Sequence, residues 1–140
     1  MVMASLMVAG CSKNAATLDA LRQKRALAVG NACMTYLLDH GSCPKQLADL
    51  LPNNAPKGDC FAGLTPEQSI QGYDYFGGGV PAGKTGGRIA ISNEVLWLPQ
   101  YPLKTSDPPT SLILRTSEPL SDGRRVIVTL GGGVVFQAAK

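Results

Sequence analysis

The feature that most constrains this chain is a change of hydrophobic period partway along it. Residues 16–40 hold no proline and one glycine, Gly30, while Ala26, Val29, Cys33, Tyr36, Leu37 and His40 recur at steps of three and four. That spacing lays them on one stripe of a long amphipathic helix. Gly41 suits the left-handed position just past its end. Residues 44–51 predict a second, short amphipathic turn or helix stopped by Pro52, and residues 53–66, rich in Asn, Pro, Gly and Lys, a loop. Beyond the loop the pattern becomes strand-like at residues 70–76, 88–92, 95–98, 111–115, 125–130 and 134–137. The last two, joined by Gly131-Gly132-Gly133, predict a C-terminal hairpin. A long helix followed only by antiparallel strands is an α+β plan, the helix lying on one face of a small sheet.

The 140 residues suffice for one domain. A net charge of +3, with no interleaving of aromatic and basic residues, argues against nucleic acid. No run of about 20 apolar residues is present to span a bilayer as a helix. Arg22, Lys24 and Arg25 stand in the first half of the expected helix, where basic charge opposes the helix dipole. A solvated face and proximity to anionic headgroups both account for them.

Residues 1–10, MVMASLMVAG, are uncharged and largely apolar, and Val8-Ala9-Gly10-Cys11 then gives way to polar Ser12-Lys13-Asn14. This resembles a bacterial lipoprotein signal, although no Lys or Arg precedes Cys11 where such signals carry one. The resemblance implies removal of residues 1–10, a lipid on the Cys11 thiol, residues 11–15 as a tether and residues 16–140 as one α+β domain. Two or three acyl chains exceed the single chain that gives only marginal anchoring. The implied location is the cell envelope, facing the periplasm or exterior, and Ser12 favours the outer membrane.

Tyr36-Leu37-Leu38-Asp39-His40-Gly41, then Pro44, then Leu47-Ala48-Asp49-Leu50, is similar to the helix end of type II secretion pseudopilins and prepilin-like proteins. Asp122-Gly123-Arg124-Arg125-Val126-Ile127-Val128, with residues 131–136, resembles their terminal hairpin. The likeness covers roughly residues 18–52 and 106–137. It implies a pseudopilin-like head and partners in secretion or pilus-like machinery. The prepilin cleavage site and the apolar helix after it are missing, so Cys11 looks like a replacement anchor.

Lipidation of Cys11 leaves Cys33, Cys43 and Cys60, an odd number for an oxidising compartment. Cys43 and Cys60 lie in loop-rich sequence, and a bridge between them would close about 16 residues and contribute on the order of 3 kcal/mol. That pair is the expected disulfide, with Cys33 a small buried residue of the helix stripe. Cys33, His40, Cys43 and Cys60 could instead be read as a zinc set, but no paired C-x-x-C is present, so no metal is expected.

Residues 78–85, GGVPAGKT, match the P-loop pattern G-x-x-x-x-G-K-T. A P-loop works because a helix starts at the lysine and aims its N–H groups at phosphate. Here Gly86-Gly87 and a β-branched segment follow, so a glycine-rich loop between strands is expected, with no nucleotide and no cofactor. His40 beside Asp39 lacks a nucleophile nearby in sequence, and Asp74, Asp107 and Asp122 are scattered, so no catalytic residue is assigned. Asp107 and Asp122 fall where pseudopilins carry a calcium loop, but Pro108-Pro109 breaks the ligand pattern.

The function expected is that of a non-catalytic structural or protein-binding lipoprotein, with a truncated pseudopilin subunit or a small-ligand-binding lipoprotein as alternatives. The residues expected to touch a partner are Tyr73, Tyr75, Phe76, Trp97 and Tyr101. Trp97, inside a strand, is also a candidate for the core.

Overall fold

The computed structural model describes the backbone of residues 2–79, 87–91 and 94–138, and the side chains of residues 17–79, 90–91 and 95–138. Helix α1 runs from Val2 to His40, so the expected tether at residues 11–15 is helical and continuous with the stem. No helix among the described residues is long and apolar enough to cross a membrane. At His40 the helix ends on Gly41, whose φ of 88° lets its N–H reach Leu37 O at 2.7 Å.

The expected second helix is a single 3₁₀ turn, Leu47–Leu50, which buries Leu47 and Leu50 beside α1. A second 3₁₀ turn, Asp59–Phe61, buries Phe61. Helix α2, Pro66–Ser69, then forms between the expected loop, which ends at residue 66, and the strand expected from residue 70. Thr65 accepts from Gln68 N, and the Gln68 side chain accepts from Thr65 N, a reciprocal cap on a helix that begins with proline.

Among the described residues six strands follow: β1 Tyr73–Tyr75, β2 Gly87–Ile91, β3 Glu94–Leu98, β4 Leu112–Thr116, β5 Arg125–Thr129 and β6 Val134–Gln137. All neighbours within sheets are antiparallel. The main sheet has the order β1-β4-β5-β6, and β2-β3 form a separate hairpin. A short parallel bridge between Trp97 and Ser111 links the two, with Trp97 N donating to Thr110 O at 3.0 Å.

The main sheet is covered on both faces. On one face Ala26, Val29, Cys33 and Leu37 of α1 meet Ile113, Leu114, Val126 and Val128 in a single cluster. On the other, Ile91, Leu96 and Leu98 of the hairpin meet Leu112 and Ile127. A register shift between Leu112 and Leu114 explains how Ile113 and Leu114, adjacent in sequence, both join the helix-side core.

Gly30 is a point of close approach between α1 and β5. A Cβ there would stand 2.6 Å from Val128 Cγ1. Alanine favours a helix over glycine by about 1 kcal/mol, whereas overpacking costs about 1–3 kcal/mol, so Gly30→Ala is expected to lose about 1 kcal/mol net. Urea unfolding of Gly30→Ala, Val128→Ala and the double variant checks this: Val128→Ala should relieve the clash, making the double variant more stable than the two single losses added together.

Candidate functional site

The alternation of β3 decides which of its residues can reach a partner. Leu96 and Leu98 point into the hairpin-side core, so Val95 and Trp97 share the opposite face. Val95 is 57% exposed and Trp97 is half-buried. With Pro108 and Thr110 they line a cavity of about 450 Å³, and Asp107 stands at it. Tyr101, three residues beyond β3, is 74% exposed. Trp97 is therefore held by the backbone bridge to residues 110 and 111 while its face stays outside the core.

The other three expected contact residues have internal roles. Tyr75 packs against the helix-side core, and its hydroxyl donates to Pro44 O at 2.6 Å. Burial pushes the Tyr75 hydroxyl well above its ordinary range, with the Cys33 and Cys43 thiols adding to the rise. Phe76 packs on the hairpin-side core, and the Arg115 guanidinium lies 5.6 Å from its ring centre. Tyr73 packs its body on the helix-side core and lines a groove beside α1. The aromatic residues expected at 73–76 thus pack on the two cores, while Val95 and Tyr101 are exposed and Trp97 is half-buried.

Cys33, Cys43 and Cys60 are free thiols, so the expected Cys43–Cys60 bridge is not formed. The reason is where each is tied. Cys43 N donates to Leu103 O at 2.8 Å, and its Sγ lies 3.9 Å from Cys33 O. Cys60 is held by Arg25, whose Nε donates to Cys60 O at 2.5 Å. Arg25 and Cys33 are eight residues apart on α1, about 12 Å along the axis, well beyond the span of a disulfide. Burial, followed by the charge of Asp107, pushes the Cys43 thiol up to about 12. Burial likewise raises Cys33, the packed residue expected from the helix stripe. Both are protonated and enclosed, the reverse of a reactive thiolate.

His40 stacks on Tyr36 one turn back, with ring centres 4.0 Å apart, and its Nδ1 lies 3.1 Å from Tyr36 O. The three scattered aspartates each serve a local purpose. Asp107 accepts from Lys104 N at 2.7 Å, and Asp122 pairs with Arg124 at 2.7 Å. Asp74 accepts from Arg115 at 2.8 Å and from Ser117 at 2.9 Å. Among the described residues no group of three or more His, Cys, Asp or Glu side chains is placed to hold a metal ion.

Burial works to raise the Asp74 carboxyl, but the hydrogen bonds from Arg115 and Ser117 and the charges of Arg115 and Arg125 outweigh it and hold it below the usual value. A lowered folded-state pKa contributes stability that is complete above the unfolded pKa of about 3.9 and is lost as pH falls through the folded value. The side chain is 39% exposed, so solvent screening keeps the effect small. Urea midpoints of the natural chain and Asp74→Asn should therefore converge as pH falls below about 4, and a constant gap across that range would show that the ion pair is not the source.

Of the P-loop-like stretch, residues 80–85 lie outside the described residues, and the described backbone resumes at Gly87 as a strand. Gly78 and Gly79 are packed against other segments. A Cβ on Gly78 would stand 2.1 Å from Lys45 O, and one on Gly79, whose φ is 93°, 2.8 Å from Gln100 O. Gly77 O accepts from Leu103 N at 2.9 Å, so these glycines mark the crossing of three backbone segments.

The side chain of Cys11 lies outside those described. No family model, no curated protein and no solved structure matches the chain.

Proposed function

We propose that the chain is a lipoprotein of the bacterial cell envelope, anchored through Cys11, whose α+β head is a non-catalytic module that binds another envelope protein. The observation that carries the binding half is the outward face of β3, where exposed Val95 and half-buried Trp97 border a cavity, with exposed Tyr101 three residues beyond the strand. Aromatic anchors around a concavity are the usual energetic centre of a protein interface. The non-catalytic half is supported by the buried, protonated state of Cys33 and Cys43 and by the local bonding of His40, Asp74, Asp107 and Asp122. The anchoring half rests on Val8-Ala9-Gly10-Cys11.

Intact mass of the protein extracted from bacterial membranes, expressed from its native upstream region, tests the anchor. Loss of residues 1–10 with acyl chains added at Cys11 supports it, and an unmodified chain that keeps Met1 removes it. A photo-crosslinker at Val95 tests the surface: an envelope protein captured there, and released when Trp97→Ala is added, supports it, while capture that ignores Trp97→Ala speaks against it. A truncated pseudopilin subunit is the second reading. It is favoured by the long helix on an antiparallel sheet that ends in a hairpin, and by the prepilin-like sequence around Tyr36 to Leu50.

A further inference from the structure

Arg22 and Arg25 lie one turn apart on α1 and both line the groove bordered by Tyr73. They reach carbonyls on two different loops: Arg22 Nη1 donates to Pro119 O at 3.1 Å and Arg25 Nε to Cys60 O. These bonds fix each guanidinium with one of its five N–H donors, and among the described residues neither arginine forms an ion pair. Lys24, between them in sequence, is exposed. Neither a solvated face nor a headgroup-facing one accounts for two arginines turned inward over a groove.

We propose that this groove binds a small monocarboxylate with a short apolar arm. Its volume of about 270 Å³ admits a ligand of a few heavy atoms up to a short side chain. Glu118 also lines it, so the two guanidinium groups leave a single net positive charge, which matches one carboxylate better than a phosphate dianion. The planar fork of arginine suits a carboxylate in two-point contact. Leu64 supplies apolar wall for the arm, and Gln68 and Tyr73 supply polar groups beside the head. Burial, partly offset by the charge of Arg25, pushes the Tyr73 hydroxyl up to about 12, so it keeps its proton and can donate at neutral pH.

NMR titration of the full chain with butyrate tests the assignment, with butyramide and sodium chloride at matched ionic strength as controls. Saturable shifts at the Arg22 and Arg25 Nε–H groups and at the Gly72 and Ser117 amides are expected with butyrate alone. Arg22→Lys keeps the charge but removes the fork, and should weaken binding about tenfold. Glu118→Gln should strengthen it, and Lys24→Gln, which removes a neighbouring charge, should leave it unchanged. An N-acetylated dipeptide with a free C-terminus, run in parallel, identifies a chain terminus as the natural source if it binds more tightly than butyrate. Equal response to butyramide, equal weakening by Lys24→Gln and Arg22→Lys, or no saturable shift in either the natural chain or Glu118→Gln overturns the proposal.

Discussion

Replacing Gly78 by alanine is expected to cost about 3 kcal/mol or more, enough to unfold a large part of the population of a marginally stable domain. The added Cβ would stand 2.1 Å from Lys45 O, 2.7 Å from Lys45 C and 2.9 Å from Lys45 Cα. All three are backbone atoms, so no side chain can rotate to make room. The Lys45 segment cannot readily retreat either: Pro44 O holds the Tyr75 hydroxyl, and Cys43 N is bonded to Leu103 O, which in turn follows a bond from Leu103 N to Gly77 O. Gly132→Ala provides the comparison, because Gly132 has a φ of 82° but nothing within 4 Å of a new Cβ. Its cost is conformational and should be about 1–2 kcal/mol. Urea unfolding of both variants separates crowding from backbone preference, and a Gly78→Ala variant as stable as the natural chain would mean that the three segments do not cross here. The same result decides what the glycines of the P-loop-like stretch are for, since a phosphate cradle at Gly78 would leave stability little changed on substitution.

Ile127→Ala is expected to cost about 2–5 kcal/mol. Ile127 is fully buried on β5, on the face opposite Val126 and Val128, and it is the residue of the central strand on which Ile91, Leu96 and Leu98 pack. Truncation leaves a cavity between the sheet and the β2-β3 hairpin, a layer whose backbone link to the sheet is the Trp97–Ser111 bridge. Amide exchange should therefore accelerate first in β3 and only later in β6, which pairs with β5 through its own ladder. A loss below 1 kcal/mol, or uniform acceleration across the main sheet, would show that the hairpin contributes little to the fold.

Much of this architecture is written in short-range pattern. The stripe from Ala26 to Leu37 gave the helix because a 3.6-residue period survives any tertiary context that keeps one face buried. The strands fall close to their expected positions because β-branched runs between glycine and proline clusters have few other uses. Residues 70–72 were expected as strand, yet Ile70 caps α2 and Gly72 turns with a φ of 91°. The signal for that was present in Thr65-Pro66-Glu67-Gln68, a capping box with proline at the first helical position. Other features depend on partners distant in sequence. Alternation alone would send Ile113 to the face opposite Leu114, and only the irregular pairing with β5 brings both to the helix. The Cys43–Cys60 expectation failed because sequence spacing measures the length of a loop and not where its ends are held, which here depends on Leu103 and Arg25. The inward turn of Arg22 and Arg25 rests on carbonyls 97 and 35 residues away. Which of the aromatic residues stay accessible was half legible: only strand parity could divide Trp97 from Leu96 and Leu98, and only the fold could assign Tyr75 to the interior.

β1 and β4 are neighbours in the main sheet although the whole β2-β3 hairpin lies between them in sequence. The chain leaves the sheet after β1 and re-enters it at the adjacent lane, β4, which makes the β2-β3 hairpin an appendage inserted into an antiparallel meander. Such an appendage can lengthen, shorten or change its outward residues while the helix and four-stranded sheet keep their own register. Under the proposed function, recognition and scaffold are then separately adjustable, and related heads with different partners would be expected to differ most in this one insertion.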